Sequence, residues 1–353
     1  MNTTVEYSLG QIDRILILGW GLIGDLFIRV PLIEAIRQRF PDAHIAVVVD
    51  PASFAVLENH PACDQVIVFS REKRPLKKYL KSFALQMILL RREHFDLCVN
   101  LYCGGSSPLV SRLSDARIRL SFDHTRALRR ANNLMVPRPS FCKNWTLDFG
   151  RMLRPLGISS EMVRRGTSFY CSQEAKRFAK TFLMNNDQSL IAFNLGAGAD
   201  EKRWPVERFV ELAIMINRHY ALRPLVFTNP GMEQLADEFV SHYSAHGESL
   251  HVPLVPLDQV GALMLRCDYV VSADTALMHL AFGLKRPTLV LFTYTRPEPV
   301  EPEDAPYISC FVPGDSDTDA CGSPMGTVDI PLNEVYRQFC NLVTFTTDDV
   351  DEC

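Results

Sequence analysis

The sequence predicts an α/β protein made of two doubly wound units, and three observations predict it. Short β-rich runs alternate with helix-periodic stretches along most of the chain. That alternation breaks once, over residues 137–172, where Pro137, Pro139, Pro155 and Gly157 punctuate the sequence, and then restarts. The length, 353 residues, suits two ordinary domains.

The elements follow in order. Arg14–Leu18 is a β-rich run, and a glycine turn leads from it into an amphipathic stretch reaching Phe40. Ala43–Val49 and Gln65–Phe69 are the next strands. Leu76–Arg92 has helical periodicity, with Leu80, Phe83, Ala84, Met87 and Ile88 as its apolar positions. Phe95–Leu101 is a strand ending in the turn Cys103-Gly-Gly-Ser106, and Arg117–Ser121 a short further strand. Trp145–Leu153 is a helix in the interruption. The second alternation comprises a helix at Gln173–Leu183, a strand at Leu190–Leu195 and a turn at Gly196-Ala-Gly198. Pro205 then suits the first position of a helix reaching His219. A strand at Pro224–Thr228 and helices at Met232–Tyr243 and Leu257–Arg266 come next. Beyond Pro297 the chain turns rich in proline and aspartate; a last helix is expected at Leu332–Val343. The expected division is residues 1–160, residues 161–345 and an acidic tail over residues 346–353. Two successive Rossmann-like units facing across a cleft make the GT-B layout.

Composition narrows the class. Hydrophobic residues make up 47% and charged residues 22%, as in soluble globular proteins. No apolar run approaches the roughly 20 residues of a membrane span. Residues 1–10 hold Glu6 and no basic start, which argues against a cleaved signal peptide. The ten cysteines are scattered without a C-x-x-C pair and read as reduced thiols of a cytoplasmic protein. Cys310, Cys321 and Cys340 have no compact metal-site spacing. Charge is uneven. Residues 1–160 hold 22 Lys and Arg against 14 Asp and Glu, a net of +8, and the remainder 15 against 27, a net of −12. A basic first half is expected to meet an anionic partner. Its clusters are Arg71–Lys81, Arg91-Arg92 and Arg126–Arg130.

Two segments carry chemistry. Gly19-Trp-Gly21-Leu-Ile-Gly24 follows a strand and opens a helix, and Asp50 ends the next strand. That is the context of a dinucleotide fingerprint. Asp25 sits where a pyrophosphate would have to lie, and Pro31 interrupts the same helix; both count against a nicotinamide cofactor. The second segment, Asp268 to Phe292, reads strand, polar turn, short helix, strand. Asp274 and Thr275 stand at the turn, and His279 lies about one and a half helical turns further on. A helix start at that edge of a parallel sheet suits a phosphate. His279 reads equally well as a buried core histidine.

The residues together resemble a family. Gly24-Asp25 followed by Pro31, Phe40-Pro-Asp-Ala-His-Ile45, Asn194-Leu-Gly-Ala-Gly198…Lys202-Arg-Trp204-Pro205, Ser272-Ala-Asp274-Thr275…His279-Leu-Ala281 and Lys285-Arg-Pro287…Leu291-Phe292 occur in order. They are similar to the motifs of glycosyltransferase family 9, the heptosyltransferases of lipopolysaccharide core assembly. The resemblance spans residues 14 to about 300. It implies an inverting, metal-independent transfer of heptose from ADP-heptose, with no cofactor. The implied acceptor is an anionic, lipopolysaccharide-core-like molecule at the inner face of the inner membrane; nucleic acid is not an expected partner. Asp25 matches the family's proposed catalytic base. Such a base takes the acceptor hydroxyl proton as that oxygen attacks the anomeric carbon. Lys202 matches the lysine that neutralises the departing diphosphate. Gly198, Glu233, Asp274, Thr275, Ala276 and His279 fall on the implied donor site; Gly24, Arg74 and Lys77 are expected on the acceptor side. Ala276 stands where the family has glycine, and Thr293-Tyr294-Thr295 where Gly-Pro-Thr is usual. The competing readings are an NAD(P)-dependent oxidoreductase using Gly19, Gly21, Gly24 and Asp50, and a GT-B protein that binds a nucleotide without catalysis.

Overall fold

The computed structural model describes residues 9–70, 76–140, 143–184, 188–198, 203–318 and 324–348. The chain divides into two compact units, Met1–Arg165 and Gly166–Cys353.

In the first unit the chain runs β1 (Arg14–Leu18), α1 (Ile23–Arg39), β2 (His44–Val49), α2 (Phe54–Leu57), β3 (Gln65–Val68) and α3 (Leu76–Arg92). It continues through β4 (Leu97–Asn100), α4 (Ser107–Leu113), β5 (Ile118–Asp123), α5 (Arg126–Ala131), β6 (Leu134–Pro137) and α6 (Trp145–Gly150). The strands form a six-stranded sheet in the order β3-β2-β1-β4-β5-β6. Every pairing in it is parallel. Helices cover both faces of such a sheet, which explains why Ile15–Leu18 and Ile45–Val49 are uniformly apolar and buried rather than alternating. β6, for which the sequence reading gave no strand, ends at Pro137, where the break in the pattern was expected to begin. It is a four-residue edge strand ending in Pro137, and an edge has one side on which a missing N–H costs nothing. α6 is capped by Asn144, whose Oδ1 accepts from the Leu147 N–H. Thr146 ties it to α1, donating to the Ile28 carbonyl at 3.0 Å. A 3₁₀ extension carries it to Leu156, and Gly157 ends the turn at φ +77°.

The second unit runs α7 (Gln173–Phe182), β7 (Leu190–Asn194), α8 (Val206–Tyr220), β8 (Arg223–Phe227), α9 (Glu233–Tyr243), β9 (Leu250–His251) and α10 (Leu257–Met264). Then come β10 (Tyr269–Ala273), α11 (Ala276–Gly283), β11 (Thr288–Phe292), β12 (Tyr307–Phe311), β13 (Pro313–Thr318), β14 (Pro324–Gly326) and α12 (Leu332–Asp348). Its main sheet is again six-stranded, in the order β12-β11-β10-β7-β8-β9, with parallel pairings throughout. The core on one face joins Trp204, Phe193, Phe209, Phe239 and Tyr243 to Val335, Phe339 and Leu342 of α12. That packing carries α12 through Asp348, beyond its expected end and into the stretch expected as tail. Pro205 is the N-cap of α8, at ψ 140°, rather than its first helical residue. β13 and β14 form an antiparallel hairpin inside the proline- and aspartate-rich stretch beyond Pro297.

Candidate active site

In both sheets the strand order reverses once: between β1 and β4 in the first, and between β7 and β10 in the second. At such a switch point the loops leaving two neighbouring strands run to opposite faces and open a crevice beyond their carboxyl ends. The two chemistry-bearing segments lie there.

In the first unit the loop after β1 leads into Asp25, third residue of α1. Asp25 is not the N-cap, the ordinary structural role for such a residue. Leu22 takes that position, and its N–H donates back to Asp25 Oδ2 at 3.0 Å. Oδ1 has no hydrogen-bond partner among the described residues. Gly21 holds this turn at φ +142°; a Cβ there would lie 2.7 Å from Arg29 Nη1 and 2.9 Å from Asp25 Oδ2. The Gly21 N–H donates to Asp50 Oδ2 at 3.0 Å, and Ser53 Oγ donates to the Gly21 carbonyl. Asp50, the residue a dinucleotide reading would place on a ribose, is thus a clamp on the turn. Trp20 is fully buried, donating to the Phe69 carbonyl at 3.1 Å.

Asp25 opens onto a pocket of about 370 Å³ lined by Ile28, Arg29, Tyr102, Cys103, Phe122, His124, Arg138, Trp145 and Phe149. Arg29 is buried one turn beyond Asp25, donates to the Trp20 carbonyl and lies 5.5 Å from the Phe149 ring centre. Tyr102 and Cys103 belong to the loop after β4. Buried Asn100 shapes that loop: its Oδ1 accepts from the Cys103 N–H and its Nδ2 donates to Ser107 Oγ, both at 3.0 Å. Cys103 adopts the left-handed φ of +54°, rare outside glycine. His124 lies beside Tyr102 and Cys103 in the pocket lining. Its Nδ1 is buried without a partner among the described residues. Burial, and then Arg138, push its imidazole below the ordinary range, so at neutral pH the ring is uncharged. Sequence reading missed Arg29, Tyr102, His124, Arg138, Trp145 and Phe149. Only Arg29, a lone cation in the apolar run Leu26–Pro31, offered a signal. Gly24 is half-buried beside Asp25. Lys77 is exposed on α3 and does not line this pocket; Arg74 lies outside the described residues.

In the second unit four loops converge. Asn194, fully buried at the end of β7, donates through Nδ2 to Ser272 Oγ at 2.9 Å and Thr275 Oγ1 at 2.7 Å. Asn194 Oδ1 has no partner among the described residues. Thr275 caps α11, its Oγ1 accepting the Leu277 N–H at 3.3 Å. Asp274 accepts a hydrogen bond from Thr295 Oγ1 in the loop after β11. This bond to Thr295, absent from the sequence expectation, fits a loop-orienting role for Asp274. The loops after β7 and β8 are in close contact: a Cβ on Gly196 would fall 2.3 Å from Asn229 Nδ2. Glu233 opens α9 beyond that turn, half-buried. Gly198 is exposed, with open space where a side chain would begin. Lys202 lies outside the described residues. Trp204 beside it is fully buried, edge-on to Phe209 at 4.8 Å and donating to the Ile330 carbonyl at 3.0 Å. Ala276 is the first residue of α11. His279 is 8% exposed on the inner side of α11, and burial pushes its imidazole down to about 4. Lys285 of the fifth motif bonds the Thr167 carbonyl at 2.7 Å and Asp304 at 2.5 Å, which is scaffolding. Among the described residues no group of three or more His, Cys, Asp or Glu is placed to hold a metal ion, and no helix is long and apolar enough to cross a membrane.

Comparison with known proteins agrees with this layout. The chain is 23% identical over 280 residues to lipopolysaccharide heptosyltransferase 3 of Escherichia coli, covering 77% of this chain and 81% of that protein. It is 23% identical over 302 residues to lipopolysaccharide heptosyltransferase 2 of E. coli K12, covering 81% and 84%. Among solved structures, a family 9 glycosyltransferase from Veillonella parvula superposes with a TM-score of 0.77 at 21% identity, over 84% of this chain and 85% of that one. The ADP-heptose lipopolysaccharide heptosyltransferase II of E. coli does so at 0.76 and 18%, over 95% and 99%. These likenesses show the fold, two Rossmann-like domains of the GT-B class. Glycosyltransferase family 9 (heptosyltransferase) matches residues 87–313, well over half of the chain, and the chain therefore belongs to that family of glycosyltransferases.

Proposed function

We propose that this enzyme is an inverting, metal-independent heptosyltransferase that moves heptose from ADP-heptose to an anionic, lipopolysaccharide-core-like acceptor. The observation that carries the reading is Asp25: its carboxylate opens onto a pocket walled by aromatic rings and cations. Aromatic faces suit the C–H face of a sugar ring, and Arg29 and Arg138 suit a carboxylate or phosphate on it. Relatives named for lipopolysaccharide heptosyl transfer, and a related structure of E. coli heptosyltransferase WaaC with ADP-2-deoxy-2-fluoro heptose, support the donor and acceptor class.

The acceptor hydroxyl enters beside Asp25. Its oxygen attacks the anomeric carbon as its proton passes to the carboxylate, and ADP departs from the opposite face, which inverts the configuration. The Leu22 N–H on Oδ2 fixes the carboxylate and leaves Oδ1 for the proton. The donor is assigned to the loops of the second unit. The Thr275-capped start of α11 offers its backbone N–H groups to the diphosphate. Lys202 balances the charge that grows on the leaving group, the task a metal performs elsewhere. Asp274 and Glu233 take sugar and nucleoside hydroxyls, Gly198 leaves room beside the diphosphate, and Ala276 borders it. His279, buried and neutral, supports α11 from beneath.

Asp25→Asn keeps the shape of the side chain and removes the proton acceptor. Turnover is expected to fall about 10²–10⁴-fold, with ADP affinity by calorimetry unchanged. Turnover that survives would remove Asp25 as base. Stabilisation by NAD and none by ADP in a thermal-shift panel would overturn the donor class.

A further inference from the structure

Asn194 and Ser272 are register partners on β7 and β10, the two strands of the second sheet's switch point. Both side chains are fully buried. The Ser272 hydroxyl donates to the Ala273 carbonyl at 2.7 Å. With its proton so placed, Ser272 Oγ can only accept toward Asn194, 2.9 Å away. The Asn194 amide must therefore present its nitrogen there. Turned over, it would set its oxygen against Ser272 Oγ, acceptor against acceptor. The same nitrogen reaches Thr275 Oγ1 at 2.7 Å. Both amide protons are thus spent, one on each hydroxyl oxygen.

The consequence falls on Thr275. Its Oγ1 accepts from the Asn194 amide and, as the cap of α11, from the Leu277 N–H. Those two bonds occupy both of its lone pairs. Its own proton has no acceptor among the described residues. A hydroxyl held in this way is a donor only. The arrangement also leaves Asn194 Oδ1 buried without a partner among the described residues. An apolar side chain of similar volume would leave no such orphan, so core stability does not account for an asparagine here.

We propose that Asn194 is a positioning residue that fixes the Thr275 hydroxyl as a donor to a phosphoryl oxygen of the nucleoside diphosphate. Ser272 sets the amide, the amide sets the hydroxyl, and the hydroxyl meets an oxygen that can only accept. A donor fixed beforehand needs no reorientation as charge grows on the departing diphosphate. The inference rests on the donor assignment made above and adds to it a side-chain contact with a defined polarity.

The test is calorimetric titration of the full chain with ADP, arranged as a double-mutant cycle. Thr275→Val keeps the shape and removes the hydroxyl; on the wild-type background it weakens ADP about tenfold, the scale of one hydrogen bond to a charged oxygen. Thr275→Ser keeps the hydroxyl and stays within about twofold of wild type. Asn194→Asp offers only acceptors, so the Thr275 proton turns inward to it. Its charge weakens ADP as well, and the decisive figure is the factor that Thr275→Val adds on that background. It falls from about tenfold to about twofold, because the hydroxyl has already been withdrawn. Charge repulsion and the lost cap are common to both arms and cancel. Should the buried carboxylate prevent folding, the neutral Asn194→Leu takes its place; it weakens ADP where Thr275 keeps its hydroxyl and has no effect beside Thr275→Val. Equal factors on the two backgrounds overturn the proposal and leave Asn194 a structural residue. ADP affinity indifferent to Thr275→Val overturns it too. A wild type that binds no ADP overturns the donor assignment itself and this inference with it, a result seen before any variant is made.

Discussion

Replacing His279 by glutamine removes one titration from the folded chain and leaves the others in place. In the wild type the imidazole is 8% exposed, and burial pushes its pKa from 6.5 down to about 4. In the unfolded chain the same ring titrates at about 6.5. As the pH falls, the unfolded state therefore takes up a proton first. The contribution of a neutral buried His279 is fully present above about pH 6.5 and is lost through the window from there down to about pH 4. With those two values, protonation of the unfolded chain at about pH 5 removes about 2 kcal/mol. The assay is urea unfolding of wild type and His279→Gln at about pH 7.5 and about pH 5. Other groups titrate in both proteins and cancel in the difference of differences. Wild type should lose about 2 kcal/mol more than the variant over that interval. Equal losses would mean that the ring is solvated or already charged when folded. In that event His279 would be a candidate to meet the diphosphate as a cation rather than to support α11 from beneath.

Further outcomes follow from other local geometry. Gly21→Ala places a methyl 2.7 Å from Arg29 Nη1 at φ +142°; it should cost roughly 1–3 kcal/mol in denaturant unfolding and lower turnover with it, because Asp25 must shift. Gly19→Ala meets only side-chain atoms of Val47 and Leu26, the nearer at 3.2 Å, and the Val48 carbonyl at 3.5 Å; a cost equal to that of Gly21→Ala would contradict the strain argument. Thr295→Val removes the hydrogen bond to Asp274 and should raise the donor KM several-fold, on the order of 1 kcal/mol, with the melting temperature almost unchanged. Burial pushes the thiols of Cys63, Cys171 and Cys310 up to about 12 and that of Cys98 to about 11. In the native chain at mildly alkaline pH these four should resist iodoacetamide when mapped by mass spectrometry, and prompt labelling of any of them would show a more open environment.

The parallel sheets were legible in the sequence because strands buried on both faces are written as unbroken apolar runs. Arg14–Leu18, with its uniformly apolar Ile15–Leu18, shows it. α3 was legible end to end because apolar residues recur along it at helical spacing, although of that set Leu80, Ala84 and Ile88 face outward and Met87 is the one fully turned inward. β6, β9, β12 and the β13–β14 hairpin were not. They are short or at an edge, and partners far along the chain decide whether they pair. The same distinction divides the site. Asp25, Asp274 and Thr275 announce themselves as polar residues at strand-to-helix turns. His124, Arg138, Trp145 and Phe149 reach the pocket beside Asp25 only through tertiary packing, after β5 and across the interrupted segment, and no local pattern marks them. Asp50 was misleading for the same reason. Its place at the end of β2 fits a ribose ligand, but the Gly21 amide takes its carboxylate.

The β13–β14 hairpin bears on the turn where this chain leaves its family's usual Gly-Pro-Thr. The Gly326 N–H donates to the Tyr294 carbonyl at 2.8 Å, and a Cβ on Gly326 would come within 2.6 Å of the Phe292 carbonyl. A proline stiffens a turn covalently, by locking its own φ. Here the stiffness at residue 294 is supplied from outside, by a backbone brace from later in the chain. The residue at 294 is thereby released to be something other than proline, and a tyrosine ring occupies it. If the donor sits against these loops as proposed above, its selectivity and the rigidity of the turn, which one proline would bind together, become separately adjustable, the first through Tyr294 and the second through Gly326.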